Sequence, residues 1–87
     1  SKARAGPWYV TRNLVIVLGL RRDRSALPFL EAMLDHEHER VRREALRALS
    51  RFADRGGDAV RSFAEDPERD EGERRLAASL LERTRTA

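Results

Sequence analysis

Cysteine is absent from the 87 residues. That removes disulfide frameworks and thiolate metal sites, and it fits a cytoplasmic protein. Long apolar runs are absent too. The longest, Leu14–Leu18, is five residues, against the roughly 20 that a membrane-spanning helix needs, so neither a membrane span nor a signal peptide is expected. Aromatics make up only 6% of the chain, and strand-like alternation is missing outside the stretch LVIVL. Catalytic and phosphate signatures are also lacking. Gly56-Gly57 is not followed by the Gly-Lys-Ser/Thr of a phosphate loop, and Ser25, Ser50, Ser62 and Ser79 have no base at a recognisable spacing. No cofactor is implied, and the reading is non-enzymatic.

Arginine is abundant instead. All but one of the 18 basic residues are arginine, against 15 acidic ones, for a net charge of +3. Many arginines stand one helical turn from a carboxylate, as in Glu39/Arg43, Arg40/Glu44 and Glu44/Arg47, so the high isoelectric point mostly counts locally paired charge.

Helical periodicity organises the rest. In VRREALRALSRF, the apolar Val41, Ala45, Ala48, Leu49 and Phe52 fall at i, i+4, i+7, i+8 and i+11, one stripe along a helix. The segmentation predicts a tail over 1–7 and then a helix from Trp8 to about Arg22. In that helix Val10, Leu14, Val17 and Leu18 form the stripe, although Leu14–Leu18 alone also suits a buried strand. A short helix follows over Ala26–Leu34, with Ser25 or Asp23 as its cap and Pro28 tolerated in the first turn. A long helix from Glu39 to near Arg55 comes next, stopped by Gly56-Gly57. Asp58 is expected to cap a short helix Ala59–Glu65, and the last helix runs from Gly72 to Arg83.

These segments repeat. At an offset of 31, Val10 meets Val41, Arg12 meets Arg43, Leu14 meets Ala45, Val17 meets Ala48 and Leu18 meets Leu49. The same step brings Arg43 to Arg74 and Leu49 to Leu80, with an offset of 32 fitting the last helix about as well. A short helix and a longer helix recurring near every 30 residues is the mark of a helical solenoid. The chain divides into 8–22, the second helix of an incomplete repeat; 23–55, a full repeat; and 56–87, a degenerate one. The fold class is all-α, an α-α superhelix of about five helices and two and a half repeats.

On those residues, ALPFLEAMLDHEHERVRREALRAL (Ala26–Leu49) resembles HEAT repeats of the short bacterial type, with the pattern ALPxLxxLLxDxxxxVRxxAxxAL, and their phycobilisome-lyase-like relatives. The resemblance implies antiparallel helix pairs stacked side by side, the longer second helices lining the concave face, and a scaffold that binds proteins. One departure is His36, which stands where an aspartate is frequent and leaves the carboxylate partner of Arg42 open, with Asp35 adjoining it. Some HEAT-like solenoids bind DNA and excise damaged bases, and lyase-type relatives handle bilins. The acidic and aromatic cleft that the first activity needs is not seen in this sequence, and the repeat alone does not carry the second.

Two surfaces are candidates for binding. Arg40, Arg43, Arg47 and Arg51 share one side of the long helix, and stacking would add Arg12 and Arg74 to make a basic ridge. That ridge reads as a solvated charged face with Glu44 interleaved, or as a seat for an acidic protein partner first and a phosphate backbone second, since no aromatic side chain interleaves for base stacking. The first helix is apolar nearly all round. Trp8, Tyr9, Ile16 and Leu20 widen its apolar surface, Val15 adds to it, and Ile16 replaces the solvent-facing Arg47 of the next helix. A helix apolar on every side is normally covered on every side, which predicts a piece of a longer solenoid or self-association through this helix. His36 and His38 in HEHE lack a third ligand or HExxH spacing and read as turn residues rather than a metal site. The acidic run Asp66, Glu68, Asp70, Glu71 and Glu73 reads as first-turn charge for the last helix.

Overall fold

Asp23 caps the 3-10 turn Arg24–Ala26: its side chain accepts the Ser25 backbone N–H at 3.0 Å and the Ser25 hydroxyl at 2.7 Å. A computed structural model describes residues 7–86, with side chains through Arg83. Its helices are α1 (Trp8–Arg21), α2 (Leu27–Ala32), α3 (Glu39–Leu49), α4 (Arg55–Glu65) and α5 (Glu71–Thr86). Among the described residues there is no strand, so Leu14–Leu18 is helical. The expected tail over 1–7 lies outside the described residues except for Pro7, whose extended backbone leads into α1.

Local chemistry sets most boundaries. α1 stops where Arg22 turns left-handed at φ 52°, its N–H donating to the Gly19 carbonyl. The predicted single helix over Ala26–Leu34 is instead α2 flanked by 3-10 turns at Arg24–Ala26 and Met33–Asp35. α3 is capped by His38, whose Nδ1 accepts the Arg40 N–H at 3.1 Å, while His36 Nδ1 accepts the His38 N–H at 3.0 Å. Both histidines therefore shape the turn. At the start of α5, Asp70 accepts the Glu73 N–H at 3.0 Å.

The boundary between α3 and α4 departs from expectation. α3 ends at Leu49 rather than near Arg55, and Gly56 and Gly57 open α4 instead of stopping α3. Asp58 accordingly lies inside the first turn of α4 rather than capping it. The reason is a close approach. A Cβ on Gly56 would overlap the Leu49 carbonyl oxygen and lie 2.7 Å from Phe52 Cβ, whereas one on Gly57 would meet nothing within 4 Å. The glycine is needed because two chain segments touch there, not because a helix requires a left-handed cap.

The helices form two layers, with Cα extents of 40 × 29 × 16 Å. α2 packs on α3 and α4 on α5 as hairpins, and α1 lies against α3. Trp8 at the start of α1 meets His38 at the start of α3, and Gly19 near the end of α1 meets Ala48 near the end of α3. The two helices are therefore parallel, as successive second helices of a solenoid must be. The core is one cluster that includes Val15, Leu30, Leu46, Leu49, Val60 and Ala77, each fully buried Leu or Val contributing roughly 1.5–3 kcal/mol. Val15, expected to widen the exposed apolar surface, is completely buried. Conversely Val10, Leu14 and Val17, the expected core stripe, are exposed. α1 turns its other side to α3, with Gly19 bare so that the backbones can approach.

Candidate functional site

The inner layer, α1, α3 and α5, carries the candidate side chains. Consecutive residues of a helix step by about 100°, so Arg40, Glu44, Arg47 and Arg51 make one row along α3 and the turn after it. Arg40, Arg47 and Arg51 are exposed, and Glu44 is half-buried. At the offset of 31 that relates α1 to α3, Tyr9 matches Arg40, Ile16 matches Arg47 and Leu20 matches Arg51. Because α1 and α3 are parallel neighbours, an apolar row of Tyr9, Ile16 and Leu20 runs beside the basic row. Tyr9 and Leu20 are exposed and Ile16 is half-buried.

Charge along the basic row is uneven. Arg47 pairs with Glu44 at 2.9 Å and Arg43 with Glu39 at 3.2 Å. Arg43 reaches toward Gly72 of α5, its Nε enclosed without a hydrogen-bond partner. Arg12, Arg40 and Arg51 have no carboxylate in ion-pair reach among the described residues. Arg12 and Arg40 instead lie 5.3 and 5.9 Å from the centre of the Trp8 ring, within cation–π range. His38 stacks on that same ring at 3.9 Å with 11° between planes. Trp8 thus packs across the junction between α1 and α3 and stays half-buried. The Arg51 stem runs alongside Gly19, so its charge stands at the opposite end of the same junction.

Arg74 does not join the row. Its Nε donates to the Ala64 carbonyl at 3.1 Å, at the end of α4. Arg42 holds the turn before α3, with Nη1 donating to the carbonyls of His36 and Glu37 at 2.8 and 3.1 Å. The open question of Arg42's carboxylate is answered by Glu73: Nε to Oε1 is 2.8 Å and Nη2 to Oε2 is 2.9 Å. Hydrogen bonding to Glu73 holds the Arg42 guanidinium above its ordinary pKa. Glu73 is 3% exposed and is not merely first-turn charge. Asp35, the neighbour of His36, binds Arg69 at 2.8 Å, and Arg69 also donates to the Leu34 carbonyl. Both pairs tie successive repeats together. Sequence reading missed Glu73 as a partner, although the offset of 32 places it on the fully buried Val41 and so contained the signal.

Repeat-to-repeat ties of this kind are what a helical solenoid is built from. The family model for HEAT repeats matches residues 1–82. The chain belongs to the HEAT-repeat family. No curated protein and no solved structure shows significant similarity to it. The HEAT assignment agrees with the all-helical architecture, and no helix among the described residues is long and apolar enough to cross a membrane. Proteins built from HEAT repeats generally mediate protein–protein interaction. Among the described residues, no three of His, Cys, Asp and Glu gather as a metal site would require.

Proposed function

We propose that this HEAT-repeat chain is a cytoplasmic, non-catalytic scaffold module that binds an acidic protein segment along its inner face. The observation that carries the proposal is the pairing of rows. Tyr9, Ile16 and Leu20 offer apolar surface beside Arg40 and Arg51, which lack carboxylate partners among the described residues. A segment with aliphatic side chains on one edge and carboxylates on the other would satisfy both at once. A bare phosphate backbone would leave the apolar row wet, and Glu44 in the basic row would repel it. Self-association through α1 would cover Tyr9 and Leu20 but leave Arg40 and Arg51 unanswered.

The test is a labelled peptide of alternating Glu and Leu read by fluorescence anisotropy against the folded chain. Arg40→Glu with Arg51→Glu should weaken binding about tenfold or more, and Leu20→Asp should do the same. Retained binding in both variants refutes the inner-face reading. Salt-dependent binding of duplex DNA, lost in the same arginine variant, would assign the row to phosphate. A dimer by light scattering that Leu20→Asp dissociates would assign it to self-association.

A further inference from the structure

Both histidines of the turn before α3 are hydrogen-bond acceptors, and both accept through Nδ1. His36 Nδ1 takes the His38 N–H at 3.0 Å, and His38 Nδ1 takes the Arg40 N–H at 3.1 Å. A backbone N–H only donates, so each Nδ1 presents a lone pair and each ring keeps its one proton on Nε2. A protonated imidazole carries N–H on both nitrogens. At either place it would set donor against donor, and the bond would be lost. Histidine is the side chain that ordinarily changes charge between about pH 5 and 8. An aspartate, frequent at the place of His36 in the repeats that this segment resembles, would accept the same N–H without titrating in that range.

The two bonds act in series. His36 fixes the backbone of His38, His38 caps α3, and the His38 ring lies on Trp8 with centres 3.9 Å apart. Trp8 opens α1 and is the chain's single tryptophan. The charge state of this turn therefore bears on a helix end and on the contact between two helices.

The groups facing the two rings differ. Around His38, Arg12 of α1 and Arg40 of α3 stand 5.3 and 5.9 Å from the centre of the Trp8 ring, and Tyr9 meets that ring edge-on. Its chain neighbours are Glu37 and Glu39, the latter paired with Arg43. His36 lines a cleft with Asp35, Glu37 and Arg42, with Glu68, Arg69 and Asp70 of the turn before α5, and with Glu73 of α5. Both arginines of the cleft are taken, Arg42 by Glu73 and Arg69 by Asp35 and Asp66. Glu37, Glu68 and Asp70 have no arginine in ion-pair reach among the described residues. An imidazolium that lets go of its N–H thus has carboxylates to turn to at His36, whereas at His38 it would face two guanidiniums. The turn opens at His36.

We propose that His36 is an acid-sensitive latch on the junction between α1 and α3. Once protonated it gives up the His38 N–H, turns to the carboxylates of the cleft, and frees His38 from its fixed seat on Trp8. The closed turn holds only the neutral ring, and the open turn takes the charged ring as well. The open form therefore gains population as pH falls, and the closed form returns as pH rises. The latch stands apart from the binding proposed for the inner row.

The test is Trp8 emission from the full chain, followed from about pH 8 to about pH 5, with circular dichroism to show that the helices persist. A reversible change with one midpoint in that range is expected, and the His38 amide proton resonance should move with the same midpoint. His36→Asn offers an amide oxygen to the same N–H at every pH. It should shrink the emission change several-fold while leaving the emission at the alkaline end as in the parent. If that variant does not fold, His36→Asp gives the same reading above about pH 5. A parent emission that stays flat overturns the proposal, as does a His38 amide resonance indifferent to pH. A change that survives intact without His36 also overturns it, by placing the proton on His38 itself.

Discussion

Arg42 and Glu73 stand 31 residues apart and meet through a two-pronged ion pair, Nε to Oε1 at 2.8 Å and Nη2 to Oε2 at 2.9 Å. The remaining Arg42 donor closes the turn before α3 by binding the His36 and Glu37 carbonyls. One side chain thus holds a turn within its own repeat and a helix of the next. Removing the carboxylate leaves a half-buried guanidinium with an incomplete set of acceptors, so Glu73→Ala should destabilise the fold by about 2–4 kcal/mol. Replacing both partners with apolar residues, Arg42→Met with Glu73→Val, should recover part of that loss, since Glu73 occupies the place that Val41 fills one repeat earlier. Urea unfolding of the three proteins checks the order.

The two adjacent glycines should respond in opposite ways. Gly57→Ala adds a methyl group into open space and should stabilise the chain by a few tenths to about 1 kcal/mol through helix propensity and reduced freedom of the unfolded chain. Gly56→Ala places one against the Leu49 carbonyl and Phe52 and should cost about 1–3 kcal/mol. Thermal melts of the pair decide; equal shifts would mean that the turn between α3 and α4 is looser than it appears.

Acid should weaken the tie between the outer helices. Glu31 accepts two hydrogen bonds from Arg55, at 2.8 and 2.9 Å, and that bonding depresses its carboxyl below the ordinary 4.5. A carboxyl with a depressed folded value contributes stability above its unfolded value, and loses it as pH falls through the folded one. The side chains are 31% and 52% exposed, so solvent screens the pair and its contribution is small. Glu31→Gln should lower the urea midpoint slightly at pH 7 and converge with the parent well below pH 4.5. A constant gap across that range would show that the pair is not electrostatic.

Arg22 ends α1 in the left-handed region, at φ 52° and ψ 42°. That is glycine's territory at a helix end, so Arg22→Gly should raise stability by about 0.5–1 kcal/mol. An unchanged or lowered melting temperature would show that the arginine side chain contributes more than its backbone costs.

The all-helical fold and the buried stripe of α3 were readable from the chain alone, although α3 and α4 proved equal at 11 residues each rather than long and short. Buried side chains on a helix must recur at its own pitch, and Val41, Ala45, Ala48 and Leu49 recur that way and are buried. The candidate row was partly readable: Arg40, Arg47 and Arg51 are exposed side by side, while Arg74 turned inward to bind Ala64. Which side of α1 would be buried was not readable. With Val10, Leu14, Val15, Val17 and Leu20 spread around it, periodicity offers no preferred direction, and the close fit of bare Gly19 on Ala48 made the choice. Glu73 was hidden for the opposite reason. A carboxylate in an acidic run looks solvated until folding brings a guanidinium from the previous repeat against it, and pattern within one helix carries no information about a charge arriving from another.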